Sequence, residues 1–133
     1  MRLSIKHSKL IQLAIEEAYA GKSKRYGSFH HGSIIVTNNR VLGRGYNHPR
    51  TTYKGSSPKG QRSMHAEVCA LNKCVIKPRK TVDVYVVRIN NVGSLVESRP
   101  CQMCIPILKS VGIRKVYYSG ADGCIHVEQV KWM

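Results

Sequence analysis

Two short segments, far apart in the chain, carry the donor atoms of one metal site. His65-Ala66-Glu67 supplies an imidazole and a carboxylate, and Pro100-Cys101-Gln102-Met103-Cys104 supplies two thiols. Zinc in a catalytic site takes three protein ligands and keeps one position for water, so the predicted ligands are His65, Cys101 and Cys104. Any fold of this chain must bring both segments to one point, with Glu67 left over to move protons.

The surroundings of these residues favour a catalytic metal over a structural one. A lone C-x2-C also forms half of a structural zinc ribbon, but the chain has no second C-x2-C to complete it. A structural zinc also has no use for a spare carboxylate such as Glu67. Both segments open predicted helices, whose positive ends favour thiolates, and Arg99 is a candidate cation that would restore acidity to a zinc bound by two thiolates.

Composition places the chain among small intracellular proteins. Its 133 residues suit a single domain over residues 1–133. The odd number of cysteines, five, and the lack of a signal-peptide or membrane-span pattern lead us to expect a cytoplasmic protein. The net charge of +15, from 22 Lys+Arg against 7 Asp+Glu, predicts a polyanionic partner, either a nucleotide or a nucleic acid.

The hydrophobic pattern predicts three helices and five strands. Helical spacing of apolar residues predicts helices over 8–20, 65–74 and 101–111, with Ser8 as the N-cap of the first. β-prone runs predict strands over 33–37, 41–46, 82–89, 115–119 and 124–130, with an Asn38-Asn39 hairpin turn between the first two. We expect the strongly β-prone 82–89 run at the centre of the sheet, and His30 and His31 in the loop before the first strand.

The link between the last two strands is too short for a crossover. Only residues 120–123 separate them, and they include the hairpin-type turn Ala121-Asp122-Gly123. A parallel connection needs about a dozen residues or more, so these strands are predicted to be antiparallel. The expected architecture is α/β: a five-stranded mixed sheet with helices on its faces.

With these motifs in place, the chain resembles the cytidine deaminase superfamily from the first helix to the 115–119 strand. The resemblance implies a three-layer α/β/α fold, a zinc cofactor and a homo-oligomer. A histidine as first ligand is similar to the branch that holds deoxycytidylate and tRNA adenosine deaminases. The Gly45-Tyr46-Asn47 segment sits where that branch has a substrate-binding Asn. The antiparallel end instead resembles the free-nucleoside cytidine deaminases.

The resemblance and the position of a long polar loop, 47–63, together suggest substrate contacts. The loop leads directly into His65, so we expect it to border the site, and Tyr53 within it is an aromatic residue among cations. Arg99 and Pro100 precede the first thiol. The candidate substrate-binding residues are Asn47, His48, Tyr53, Ala66, Arg99 and Pro100.

The implied reaction is the hydrolytic deamination of cytosine to uracil in a (deoxy)cytidine nucleotide such as dCMP. In this reaction Glu67 carries protons from water to the base and to the leaving amine. The high positive charge leaves open a polynucleotide substrate, either adenosine in tRNA or cytosine in RNA or single-stranded DNA. A third hypothesis is a non-catalytic, zinc-stabilised module that binds nucleic acid.

Overall fold

The computed structural model describes residues 5–22, 30–38, 40–46, 48–49, 63–64, 70, 81–90 and 92–133. Within these ranges the helices are α1 (Ile5–Lys22) and α2 (Cys104–Ser110). The strands are β1 (His30–Thr37), β2 (Arg40–Tyr46), β3 (His48–Pro49), β4 (Ser63–Met64), β5 (Val82–Ile89), β6 (Leu95–Val96), β7 (Ile113–Ser119) and β8 (Ile125–Gln129). A 3-10 turn, Val130–Trp132, follows β8. Among these helices, none is long and apolar enough to cross a membrane.

Five strands form the main sheet in the order β2-β1-β5-β7-β8, and the short β6 pairs with the end of β5. β5 and β7 are parallel, whereas β1 runs antiparallel to both β2 and β5. β8 is antiparallel to β7, with Tyr118 opposite His126. The predicted mixed sheet, its central strand and its antiparallel end are therefore confirmed, and β6 is an addition that the sequence pattern did not predict.

One face of the sheet is covered by α1. Alternate residues of β5, among them Tyr85, Val87 and Ile89, pack against the apolar side of α1. Burial of this stripe supplies the stability that a helix of this length lacks in isolation. The helix residues in this first core are Leu10, Ile11, Ala14 and Ala18.

The other face of the sheet carries a second core. The remaining β5 residues Val82, Val84 and Val86 point to this side, where Leu108 of α2 covers them. Ala70 is helical and fully buried in the same core, and it is the residue of the predicted 65–74 helix that the structure describes. Cores on both faces confirm the three-layer α/β/α arrangement.

Several details of the predicted elements differ in the structure. Helix α1 begins at Ile5 and continues to Lys22, so Ser8 lies inside the helix and is not its N-cap. His30 and His31 belong to β1, and His30 is buried, so the prediction of loop histidines is wrong. The first strand extends to them because they pair with Ile89 and Arg88 of β5.

Gly32 allows α1 to lie directly on the sheet. A Cβ at this position would overlap the carbonyl oxygen of Ala14 and the amide nitrogen of Ala18, which are backbone atoms of α1. Backbone atoms cannot move aside as the end of a flexible side chain can. The contact between β1 and α1 therefore requires glycine on the strand side.

We predict that Gly32→Ala lowers the free energy of unfolding by about 3 kcal/mol or more, because the helix must shift off the sheet. Gly112→Ala is the matched control: Gly112 has a φ of 82° but nothing within contact distance of an added Cβ. Its cost should be that of backbone strain alone, about 1 kcal/mol. Denaturant unfolding measures both, and equal losses would contradict the close approach of α1.

Candidate metal and active site

The C-x2-C segment forms a turn that leads into α2. The carbonyl oxygen of Cys101 accepts hydrogen bonds from the amides of Cys104 and Ile105, both at 3.0 Å. Residues three apart in such a turn lie on the same side, so the two thiols suit the binding of one metal ion. The regular helix begins at Cys104, so the prediction that Cys101 opens the helix is wrong by three residues.

Ser98 ties the segment before this turn to the sheet. Its hydroxyl donates to the carbonyl oxygen of Val86 at 3.0 Å and accepts from the amide of Ser119 at 2.8 Å. Its own amide donates to the carbonyl oxygen of Ser119 at 2.7 Å. Because β5 and β7 are parallel, both of these contacts lie toward the carboxyl-terminal edge of the sheet. In α/β proteins, ligands bind in the crevice outside this edge.

Arg99 is held by a carboxylate from β8. Its Nε lies 2.7 Å from Oε2 of Glu128, and its Nη2 lies 3.4 Å from Oε1. The hydroxyl of Tyr118 donates to the same Oε2 at 2.7 Å. The positive charge of Arg99, which we expected to serve the substrate or the metal, is therefore paired with Glu128.

These contacts perturb the ionisation of Glu128 and Tyr118. Hydrogen bonds from Arg99 and Tyr118 hold the pKa of Glu128 below its usual value, so it is a carboxylate at neutral pH. Burial, followed by the hydrogen bond to Glu128, raises the pKa of Tyr118 to about 12, which keeps its hydroxyl protonated and donating. The cluster of Arg99, Glu128 and Tyr118 is thus a stable cation–anion–donor triad.

The two ends of the 47–63 loop are paired through their backbones. His48 pairs with Met64 and Pro49 pairs with Ser63 in the small antiparallel sheet of β3 and β4. The sequence predicted a loop over the whole segment, and this prediction is wrong at the ends, where the structure has short paired strands. Met64 immediately precedes His65 in the chain, and the pairing thereby joins the start of the loop to the strand that leads to the histidine motif.

Half of the predicted site lies in the ranges that the structure describes. Cys104 is buried, Pro100 is buried, and Cys101 is exposed. Between residues 5 and 133, with the gaps given above, no three His, Cys, Asp or Glu residues come close enough to hold a metal. The remaining candidates, Asn47, Tyr53, His65, Ala66 and Glu67, and the side chain of His48, lie outside the described residues, so their roles stay predictions.

Sequence reasoning did not identify Ser98, Tyr118 and Glu128, whose hydrogen bonds hold the segment before the C-x2-C turn. Ser98 lies in a segment that matched no pattern, and Glu128 is 29 residues from its partner Arg99. One signal was available for Glu128: the antiparallel link predicts that strand 124–130 lies beside strand 115–119. Alternation then places Glu128 and Tyr118 on the same face as Val116.

The fold is similar to that of several solved deaminases. A dCMP deaminase from cyanophage S-TIM5, solved with dCMP and dUMP, shares 21% identity with a TM-score of 0.63, covering 92% of this chain and 89% of that one. A cytidine deaminase from Mycobacterium leprae shares 16% identity with a TM-score of 0.61, covering 97% of each chain. A tRNA deaminase studied for A-to-I editing at the wobble position shares 22% identity with a TM-score of 0.58, covering 86% and 77%.

These likenesses define a protein with the cytidine deaminase-like fold. The family model described as the cytidine and deoxycytidylate deaminase zinc-binding region matches residues 4–120, so the chain belongs to that family. This confirms the resemblance drawn from the two motifs. A comparison with curated protein sequences gives no significant match.

We predict that Ser98→Ala lowers the free energy of unfolding by about 1–3 kcal/mol, because it removes buried hydrogen bonds to backbone groups of Val86 and Ser119. Ser110→Ala is the control, since the Ser110 hydroxyl donates to the carbonyl oxygen of Ile107 at an exposed position. Its loss should be well under 1 kcal/mol because water replaces the bond. Equal losses in denaturant unfolding would show that Ser98 does not anchor the segment.

Proposed function

We propose that this protein is a zinc-dependent hydrolytic deaminase that converts cytosine to uracil in a (deoxy)cytidine nucleotide such as dCMP. The observation that carries the proposal is the C-x2-C turn, tied through Ser98 to the carboxyl-terminal edge of β5 and β7. Membership of a family described by its zinc-binding region supports the metal. The cyanophage relative in complex with dCMP and dUMP supports the substrate class.

The donor set of the chain fits zinc. Two thiols in one turn, Cys101 and Cys104, and the imidazole of His65 make a set of three that leaves one position open. When bound, zinc supplies a water molecule activated as a nucleophile. Two of these three ligands lie in described residues, and they fit because the backbone turn places them three residues apart, directly after a segment bonded to β5 and β7.

Glu67 moves the protons of the proposed reaction. Its carboxylate accepts a proton from the attacking water and delivers one to the ring nitrogen next to the reacting carbon. A further proton goes to the departing amine. One carbon–oxygen bond forms and one carbon–nitrogen bond breaks, so water and cytosine give uracil and ammonia. The proposed substrate contacts are Asn47, His48, Tyr53, Ala66 and Pro100.

We predict that the zinc-loaded protein releases ammonia from dCMP and that Glu67→Gln lowers kcat by about 10²–10⁴-fold while retaining zinc. Cys101→Ser should lose zinc, because it removes a ligand. Cys124→Ser is the matched control, since Cys124 is an exposed cysteine beside β8, and it should keep both zinc and activity. Metal analysis and ammonia release on dCMP, cytidine, single-stranded DNA and tRNA measure these outcomes.

Full activity in Glu67→Gln would contradict the proton-transfer role. A wild-type protein that holds zinc but deaminates none of these substrates would favour the non-catalytic nucleic-acid-binding module instead.

A second candidate substrate is a polynucleotide, and the net charge of +15 favours it. One of the structural relatives is a tRNA deaminase. A chain that holds a polynucleotide through several phosphates releases many counterions on binding, whereas a mononucleotide releases few. Salt dependence therefore separates the two classes.

We predict a shallow salt dependence of KM for dCMP between about 50 and 200 mM salt. A polynucleotide contacted at six or more phosphates would instead lose roughly a thousandfold in affinity over this range. Steady-state kinetics at three or more salt concentrations measure the slope for each substrate. A steep slope with a kcat/KM for tRNA or single-stranded DNA far above that for dCMP would overturn the mononucleotide assignment.

A further inference from the structure

We propose that Glu128 is a positioning residue that sets the orientation of the C-x2-C turn by holding Arg99. The inference rests on the proposed function, because it requires the turn to hold a metal. Glu128 lies on β8, which pairs with β7 and follows the ligand segment in the chain. The β7–β8 hairpin therefore supplies the residue that holds Arg99.

A residue of the second core, Tyr118, fixes the position of Glu128. Tyr118 is buried in that core, and its ring stacks with His126 at a centroid distance of 5.7 Å. The Tyr118 hydroxyl fixes Oε2 of Glu128 at 2.7 Å. A carboxylate with one oxygen fixed by a partly buried donor keeps a defined direction toward Arg99.

Arg99 transmits this position to the ligand segment. Two guanidinium nitrogens face the two oxygens of Glu128, and such a fork constrains orientation as well as distance. The neighbouring Ser98 is fixed to the sheet by its amide and hydroxyl. Together these contacts anchor two consecutive residues, Ser98 and Arg99, immediately before Pro100 and Cys101.

Fixing this segment matters for the metal because Cys101 lies in the turn before α2 and not within the helix. The regular helix begins at Cys104, and Cys101 is joined to it through its carbonyl oxygen, so the orientation of the segment that enters the turn also bears on the Cys101 thiol. Groups that orient ligands commonly change metal affinity about 10–100-fold when they are removed. The pair of Arg99 and Glu128 is partly exposed, at 39% and 32% of the side-chain surface, so its contribution to overall folding should be small.

The test compares zinc affinity in Glu128→Gln and Glu128→Ala with wild type, by competition with a chromogenic chelator. We expect the zinc dissociation constant to rise about tenfold or more in both variants. The absorption spectrum of the cobalt(II)-substituted protein should change as the thiolate geometry changes. Asp122→Asn is the matched control: it breaks the 3.0 Å pair with His126 in the same hairpin but does not contact Arg99.

A double-mutant cycle tests whether Glu128 acts through Arg99. Glu128→Ala should weaken zinc binding little further when Arg99→Ala is already present, because the transmitting residue is gone. Additive losses would overturn the route through Arg99. Unfolding of the metal-free variants by denaturant shows whether each is folded and separates a loss of fold from a loss of ligand geometry.

Zinc affinity and cobalt spectra in both Glu128 variants equal to those of Asp122→Asn would overturn the positioning role while leaving the proposed function intact. A wild-type protein that binds no zinc would instead overturn the proposed function, and the positioning role with it. A folded Glu128→Gln protein with weakened zinc binding, beside an unaffected Asp122→Asn, is the result that supports the inference.

Discussion

The parallel pairing of β5 and β7 determines where this protein can place a reactive group. Val84 to Val86 of β5 lie beside Val116 to Tyr118 of β7, so both strands end at one edge of the sheet. Ser98 binds backbone groups of both strands near that edge. The C-x2-C turn follows within three residues. If these two strands were antiparallel, their carboxyl ends would lie at opposite edges of the sheet.

The two cores lie on opposite faces of the sheet and differ in the elements that border them. The α1 face is closely packed, with Gly32 against the backbone of α1. The opposite face carries Leu108, Tyr118 and the ligand turn, and its polar triad stands at the rim of the core. This division explains why the apolar residues of β5 alternate between two fully buried environments.

The sequence predicts features that depend on neighbouring residues. It does not predict contacts that depend on the register between distant strands. The β-prone run of β5 and the short link before β8 predicted the sheet centre and its antiparallel end, because strand propensity and loop length act over short distances. The two metal-ligand motifs carried the resemblance to the family, which the family model confirms. The anchor Ser98 and the partner of Arg99 could not be predicted, since each depends on which residues of distant strands lie opposite one another. The sequence placed the helix start at Cys101, whereas the regular helix begins at Cys104. The two are continuous, since the Cys101 carbonyl already accepts a helical hydrogen bond from Ile105.

The proposed chemistry is the addition of water to a cytosine ring with the loss of its amine. Incubation of the zinc-loaded protein with dCMP in water enriched in heavy oxygen tests it, with the product analysed by mass spectrometry. We expect dUMP that carries the heavy oxygen at the carbon that lost the amine, with one ammonia released for each dUMP formed. Unchanged dCMP, or dUMP without the label in its carbonyl, would contradict hydrolytic deamination by this protein.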